Sequence, residues 1–171
     1  EKGTVTGLIG ANGSGKSTLF FTLMNILQAD NGSFKLFGKD MKNKETEIKE
    51  RIGYAGGHLY DAFSHLTVSQ LAGLVSHWYS NWDKKYYQSL IKKYQINPKE
   101  KYGNCSTGTK KKVEFVFALA HKPELLLLDE PTANVDMLSQ QMMREDLLDY
   151  MEKETRTIFM STHNQEEVKR L

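Results

Sequence analysis

The chain has one cysteine and three prolines among its 171 residues. A lone thiol cannot form an internal disulfide, and no histidine pair stands at zinc-ligand spacing with thiolate partners. No stretch approaches the roughly 18 to 20 apolar residues that span a bilayer. The opening residues lack the apolar core of a secretory leader, which predicts a cytoplasmic location. Charge of one sign is also missing. With 23 Lys and Arg against 21 Asp and Glu, the balance argues against nucleic acid or another broad polyanion as partner. Repeats, low-complexity tracts and Pro/Gly/Ser-rich linkers are absent too. The length is therefore read as a single domain with one principal core, burying roughly 70% of its unfolded surface.

What the chain does contain is a glycine-rich loop. Gly10-Ala11-Asn12-Gly13-Ser14-Gly15-Lys16-Ser17 fits the pattern G-x-x-x-x-G-K-[ST]. Its glycines let successive backbone N–H groups turn inward around phosphate oxygens where a helix begins. The β-rich run Thr4 to Ile9 ends directly on the motif, and Thr18-Leu19-Phe20-Phe21-Thr22-Leu23 after it has the apolar content of a helix packed on a sheet. The pattern implies a bound nucleoside triphosphate. Gly10, Asn12, Gly13, Ser14, Gly15 and Thr18 would surround its phosphates, Lys16 would reach the β- and γ-phosphates, and Ser17 would offer a hydroxyl to Mg2+.

A second segment supplies chemistry. Leu125 to Leu128 reads as a strand buried on both faces, so Asp129 emerges at its carboxyl end, where open α/β sheets bind ligands. Asp129 would hold Mg2+ through water. Glu130 would orient or deprotonate an attacking water. Thr157 to Ser161 and Ile52 to Ala55 read as further strands, and Ser33 to Gly38, after the turn Asp30-Asn31-Gly32, as an antiparallel β element. Thr67 and Gln70 form a capping-box pattern ahead of a helix with Val68, Leu71, Leu74, Val75 and Trp78 on its inner face. Asp83 can cap a second helix carrying Leu90, Ile91 and Tyr94. Lys110 to Lys112 reads as a solvated charge cluster, and His58, His65, His77 and His121 as structural.

In this order, the glycine loop, Cys105-Ser106-Thr107-Gly108-Thr109, the apolar strand ending Asp129-Glu130-Pro131-Thr132 and the downstream Thr162-His163 resemble the nucleotide-binding subunit of ABC transporters. The resemblance covers essentially the whole chain. It implies an α/β P-loop NTPase with a RecA-like core, an antiparallel β element and an α-helical subdomain inserted at about residues 58–104. It implies that Ser106 and Gly108, in the place of the family's Leu-Ser-Gly-Gly-Gln peptide, close over ATP held by the opposite subunit; Cys105, Thr107 and Thr109 depart from that peptide. Asp136 ends the loop that touches the partner subunit, and His163 is the family's switch histidine at the γ-phosphate. The implied cofactors are ATP and Mg2+. The implied partners are a second nucleotide-binding subunit, identical or not, and a separate transmembrane permease at whose cytoplasmic face this chain sits peripherally.

The family's β-region ahead of the glycine loop, with its adenine-stacking aromatic, and the end of its domain are expected to be missing from the given chain. The string Tyr79-Ser80-Asn81-Trp82-Asp83 is similar to a bacterial subgroup of ABC-2-type exporters, and more narrowly to the ATPases that export phenol-soluble modulin peptides. The resemblance also has a gap. Where the family carries a glutamine after the strand equivalent to Ile52–Ala55, this chain reads Gly56-Gly57, leaving a backbone group, water or another side chain of this loop to substitute. Among other ABC ATPases, those of DNA repair insert a long coiled coil that has no room between Lys16 and Ser106. Translation-associated ones carry two cassettes. A soluble non-transport ATPase or a nucleotide sensor is the alternative, and Glu130 argues against the sensor.

Overall fold

The computed structural model describes residues 2–57 and 59–169, so His58 lies outside the described residues. Four strands, β1 (Val5–Ile9), β2 (Ile52–Ala55), β3 (Leu125–Asp129) and β4 (Thr157–Thr162), form one sheet in the order β1-β4-β3-β2, and every pairing is parallel. Parallel strands need crossover connections, which cover both faces with helices and demand near-continuous apolar runs. Leu126, Leu127 and Leu128 are fully buried accordingly.

Two apolar layers flank the sheet. Helix α1 (Lys16–Leu23) and helix α2 (Met41–Lys49) bring Phe20, Met24, Met41 and Ile48 against Ile52, Tyr54 and Leu127 on one face. On the other face helix α5 (Thr107–Ala120) sets Val113, Phe115, Val116 and Leu119 against Leu126 and Leu128. Alternate strand residues thus feed opposite layers. Helix α5 lies so close to β2 that a Cβ at Gly53 would stand 2.3 Å from the Ala118 carbonyl oxygen.

Helix α3 (Val68–Ser76) carries the expected capping box: Thr67 accepts from the Gln70 N–H, and Gln70 accepts from the Thr67 N–H. Helix α4 (Lys84–Lys93) is capped by Asp83, which accepts from the Tyr86 N–H at 2.9 Å. It is tied to helix α6 (Met137–Met151) through the buried carboxylate of Asp146, which receives Lys93 Nζ at 2.7 Å and the Tyr94 hydroxyl at 2.6 Å. A five-residue helix α7 (Gln165–Lys169) follows β4.

Three expectations are corrected. The antiparallel β element over residues 33–38 is not formed. Only Leu36 and Lys39 bridge, across a tight turn with Phe37 and Gly38 at positive φ, because a lone bridge without a further strand cannot propagate a ladder. Val68, Leu71 and Val75 of α3 are buried as expected, but Leu74 is 46% exposed, and the helix stops at Ser76, so Trp78 lies beyond it and is 79% exposed. Helical spacing carried the apolar stripe over more surface than is covered and past the point where the helix ends. The lysines Lys110 to Lys112 are not a free charge cluster. Lys110 pairs with Asp61 at 3.0 Å, Lys112 lies 3.8 Å from Asp136, and Lys111 donates to the Glu130 carbonyl.

His121 has the structural role expected of it. Its Nε2 meets the Ile52 carbonyl at 3.0 Å and its ring stacks on Tyr79 with centroids 3.7 Å apart. Burial pushes its pKa down from 6.5 to about 4. The unfolded chain therefore takes up a proton that the fold refuses, so this stability is complete above about pH 6.5 and is lost as pH falls toward 4, by up to about 3 kcal/mol. Urea unfolding at pH 7 and pH 5 checks this, with His121→Gln expected to lose clearly less stability across that interval than the parent protein.

Candidate functional site

The carboxyl ends of β1, β4 and β3 lie side by side, and each delivers one part of a site. From β1 the chain enters the glycine loop. Gly13 and Gly15 take φ values of +80° and +91°, a region open to glycine without a Cβ penalty, and Gly15 is the N-cap of α1. Gly10 packs closely under the loop, where a Cβ would stand 2.6 Å from Ser14 Oγ and turn that hydroxyl aside. The loop is held from within: Lys16 Nζ donates to the carbonyls of Gly10 at 2.8 Å and Ala11 at 3.1 Å. Asn12, Gly13, Gly15, Lys16, Ser17, Thr18 and Glu130 line one cavity of about 240 Å³. Larger clefts lie beside α6 and beside α4, but neither is lined by the glycine loop.

Strand β3 ends on Asp129, which is only 5% exposed. Its carboxylate accepts from the hydroxyl of Ser161, the residue opposite it on β4. The Glu130 N–H points to the same serine, to Oγ at 3.1 Å and to the carbonyl at 3.2 Å. Glu130 itself takes φ +50°, a left-handed conformation uncommon outside glycine, in which its carbonyl receives Lys111 from α5. Its carboxylate bridges the other two strand ends: Oε1 lies 3.4 Å from Lys16 Nζ and Oε2 lies 2.6 Å from Nδ1 of the exposed His163.

The structure thus gathers Lys16, Ser17, Glu130 and His163 at one mouth, with Asp129 beneath. Ser106, Gly108 and Asp136 do not line that cavity. Ser106 is the N-cap of α5, accepting from the Thr109 N–H at 3.2 Å, and Asp136 is the N-cap of α6, accepting from the Ser139 N–H at 2.9 Å. That N–H and the Ser139 side chain hold the Asp136 carboxyl below its usual range. Gly108 sits where a Cβ would stand 2.7 Å from the Asn134 carbonyl oxygen, so the start of α5 and the loop before α6 are in close contact. Cys105 packs, buried.

Sequence reasoning missed Ser161 and Lys111. A serine at the end of an apolar strand signals nothing until β4 is known to pair with β3, and the partner of Lys111 is distant in sequence. It also left open the Gly56-Gly57 segment. Here Gly57 takes φ +68°, and a Cβ on it would meet Phe21 Cζ at 2.7 Å and Tyr54 Oη at 2.9 Å, so a glutamine cannot stand at this position without displacing both rings.

A parallel sheet with this loop after β1, an acidic pair at the end of β3 one strand removed, and a cavity shared by the loop and Glu130 defines a P-loop nucleotide-binding domain. Residues 1–133 match the ABC transporter family, and the chain belongs to it. It is 32% identical over 173 residues to the ABC transporter ATP-binding protein YtrB of Bacillus subtilis, aligning over 100% of this chain and 58% of YtrB. It is also 32% identical to the zinc uptake system ATP-binding protein ZurA of Listeria innocua, over 96% of this chain and 67% of that protein. A solved ATP-binding subunit of an ABC transporter superposes with a TM-score of 0.86 at 24% identity, covering 99% of this chain and 72% of the other, which establishes the fold. The chain spans little more than half the length of YtrB.

Proposed function

We propose that this chain is the ATP-binding and ATP-hydrolysing part of a membrane ABC transporter, acting through ATP-driven closure of two nucleotide-binding subunits. The observation that carries the reading is Glu130, whose carboxylate stands between Lys16 and His163 at the mouth of the glycine-loop cavity. On ATP binding, the Lys16 ammonium exchanges its loop carbonyls for β- and γ-phosphate oxygens. Glu130 accepts the proton of the water that attacks the γ-phosphorus, and the bond from that phosphorus to the bridging oxygen breaks, leaving ADP and phosphate. His163 holds the other Glu130 oxygen and faces the γ-phosphate. The Ser17 hydroxyl and Asp129 carboxylate are hard oxygen donors of the kind that suit Mg2+, which, when bound, neutralises phosphate charge.

Ser106 and Gly108 lie outside this chain's own phosphate cavity, which supports their use by a partner subunit's ATP, with Asp136 at the same interface. The exposed Leu74 of α3 and Trp78 just beyond its end offer an apolar face on which a separate permease subunit docks, keeping the chain peripheral at the cytoplasmic face. The helices α3 and α4 then form the subdomain inserted at about residues 58–104. For direction, the string Tyr79 to Asp83 favours ABC-2-type export of peptides or other amphipathic compounds, phenol-soluble modulins being its narrowest form; the zinc uptake name of one relative marks import as the competing direction.

The test is a subunit-mixing experiment with the full-length protein. Ser106→Arg, which places a long cation at the signature peptide, is expected to bind ATP with parental affinity while turnover falls at least tenfold and the ATP-dependent dimer is lost by sedimentation. A monomer that hydrolyses ATP at full rate over a wide concentration range would defeat the two-subunit reading.

A further inference from the structure

Around Gly57 the chain departs from its family in a way the packing makes specific. The Tyr54 side chain is 5% exposed, and its hydroxyl is buried with no hydrogen-bond partner among the described residues. Leaving such a group unpaired is costly, so native structures rarely keep one. The ring is fixed on three sides. Phe20 and Phe21 of α1 stand at centroid distances of 6.3 Å and 6.4 Å, and Gly57 passes across the hydroxyl end, where even a Cβ would come within 2.9 Å of the oxygen.

The position of that hydroxyl follows from register. Tyr54 pairs with Leu127, and Asp129 lies two residues further along β3, so both side chains belong to the sheet face that α1 covers. On α1, Phe21 follows Ser17 by four residues and shares its helix face. The loop leaving β2 closes the same corner, since a Cβ on Gly56 would stand 2.6 Å from Asp129 Cβ. Burial raises the Tyr54 pKa, and the charge of Asp129 raises it further, which keeps the phenol protonated and able to donate. Asp129 has one oxygen engaged by Ser161.

From this arrangement we infer that Tyr54 is a positioning residue for the metal–nucleotide complex, its hydroxyl donating to a water held by Asp129 in place of the side-chain amide that Gly57 lacks. The inference rests on the ATPase reading above. It explains two features together: the hydroxyl finds no partner among the described residues because its acceptor is the ligand-held water, and residue 57 is glycine because the phenol and the Phe21 ring occupy the space of a larger side chain.

Tyr54→Phe removes only the hydroxyl and keeps the ring. Three quantities are measured on the full-length protein: ATP affinity in EDTA, affinity for Mn2+ in the presence of a non-hydrolysable ATP analogue followed by electron paramagnetic resonance, and Tm without ligand. The expected result is an unchanged affinity in EDTA, a Mn2+ affinity weakened by about three- to tenfold, and an unliganded Tm equal to or above that of the parent. Unchanged Mn2+ affinity overturns the inference, as does a lowered unliganded Tm, which would mean that the hydroxyl already has a structural partner. A parent protein that binds no ATP at all removes the ATPase reading itself, whereas a parent that binds normally beside an unaltered Tyr54→Phe removes this inference alone.

Discussion

Replacing Glu130 with Gln leaves ATP bound and lowers the hydrolysis rate by about 10²- to 10⁴-fold, the contribution of a well-placed general base or water-orienting group. The amide keeps the size of the carboxylate and can still hydrogen-bond to His163, so the mouth of the cavity keeps its shape while losing its proton acceptor. It also loses the negative charge 3.4 Å from Lys16 Nζ. Lys16 is then freer to engage phosphate, and an ATP-bound dimer should accumulate. Single-turnover hydrolysis and size-exclusion chromatography with ATP check both halves of the expectation. A variant that turns over at the parental rate would remove Glu130 from the chemistry.

Lys16→Ala has the second large effect, and its sense differs. The ammonium bonds to the carbonyls of Gly10 and Ala11 and pairs with Glu130, so one side chain both folds the loop and neutralises its neighbour. Removing it deletes the cation that phosphate would meet and leaves a half-buried carboxylate facing the incoming phosphates. ATP affinity is expected to fall at least a hundredfold, about 2.7 kcal/mol, against unaltered binding in Ser106→Arg. Fluorescent-nucleotide titration distinguishes the two. Equal affinity in Lys16→Ala and the parent would show that the glycine-loop cavity is not the phosphate site.

Much of this site is legible in the residues themselves because its parts are local. A glycine loop, the helix behind it and an acidic pair ending an apolar strand each announce a conformation within a few residues. Strands buried on both faces read plainly, as Leu125 to Leu128 do. What escaped reading depends on distant partners. The β-prone run at residues 33–38 has the composition of a strand, but no ladder forms without a neighbour to continue it. Leu74 and Trp78 have the spacing of a buried face, yet spacing does not say how wide the covering surface is. The engagement of Lys111 with the Glu130 carbonyl, of Ser161 with Asp129 and the enclosure of Tyr54 arise only once the sheet and α5 are assembled.

The strand order β1-β4-β3-β2 has a consequence for how the molecule comes into being. Strand β1 carries the glycine loop, and among the described residues its neighbour in the sheet is β4, whose residues 157–162 leave the ribosome about 150 residues later. Until then β1 lacks its partner in this sheet, and Asp129 lacks the serine that holds it. Pairings of such large sequence separation are slow to close. The glycine loop therefore gains its place in this sheet only once β4 is made, and a nascent chain interrupted before Thr157 is expected to pair β2 with β3 while lacking the β1–β4 pairing that sets Glu130 beside Lys16.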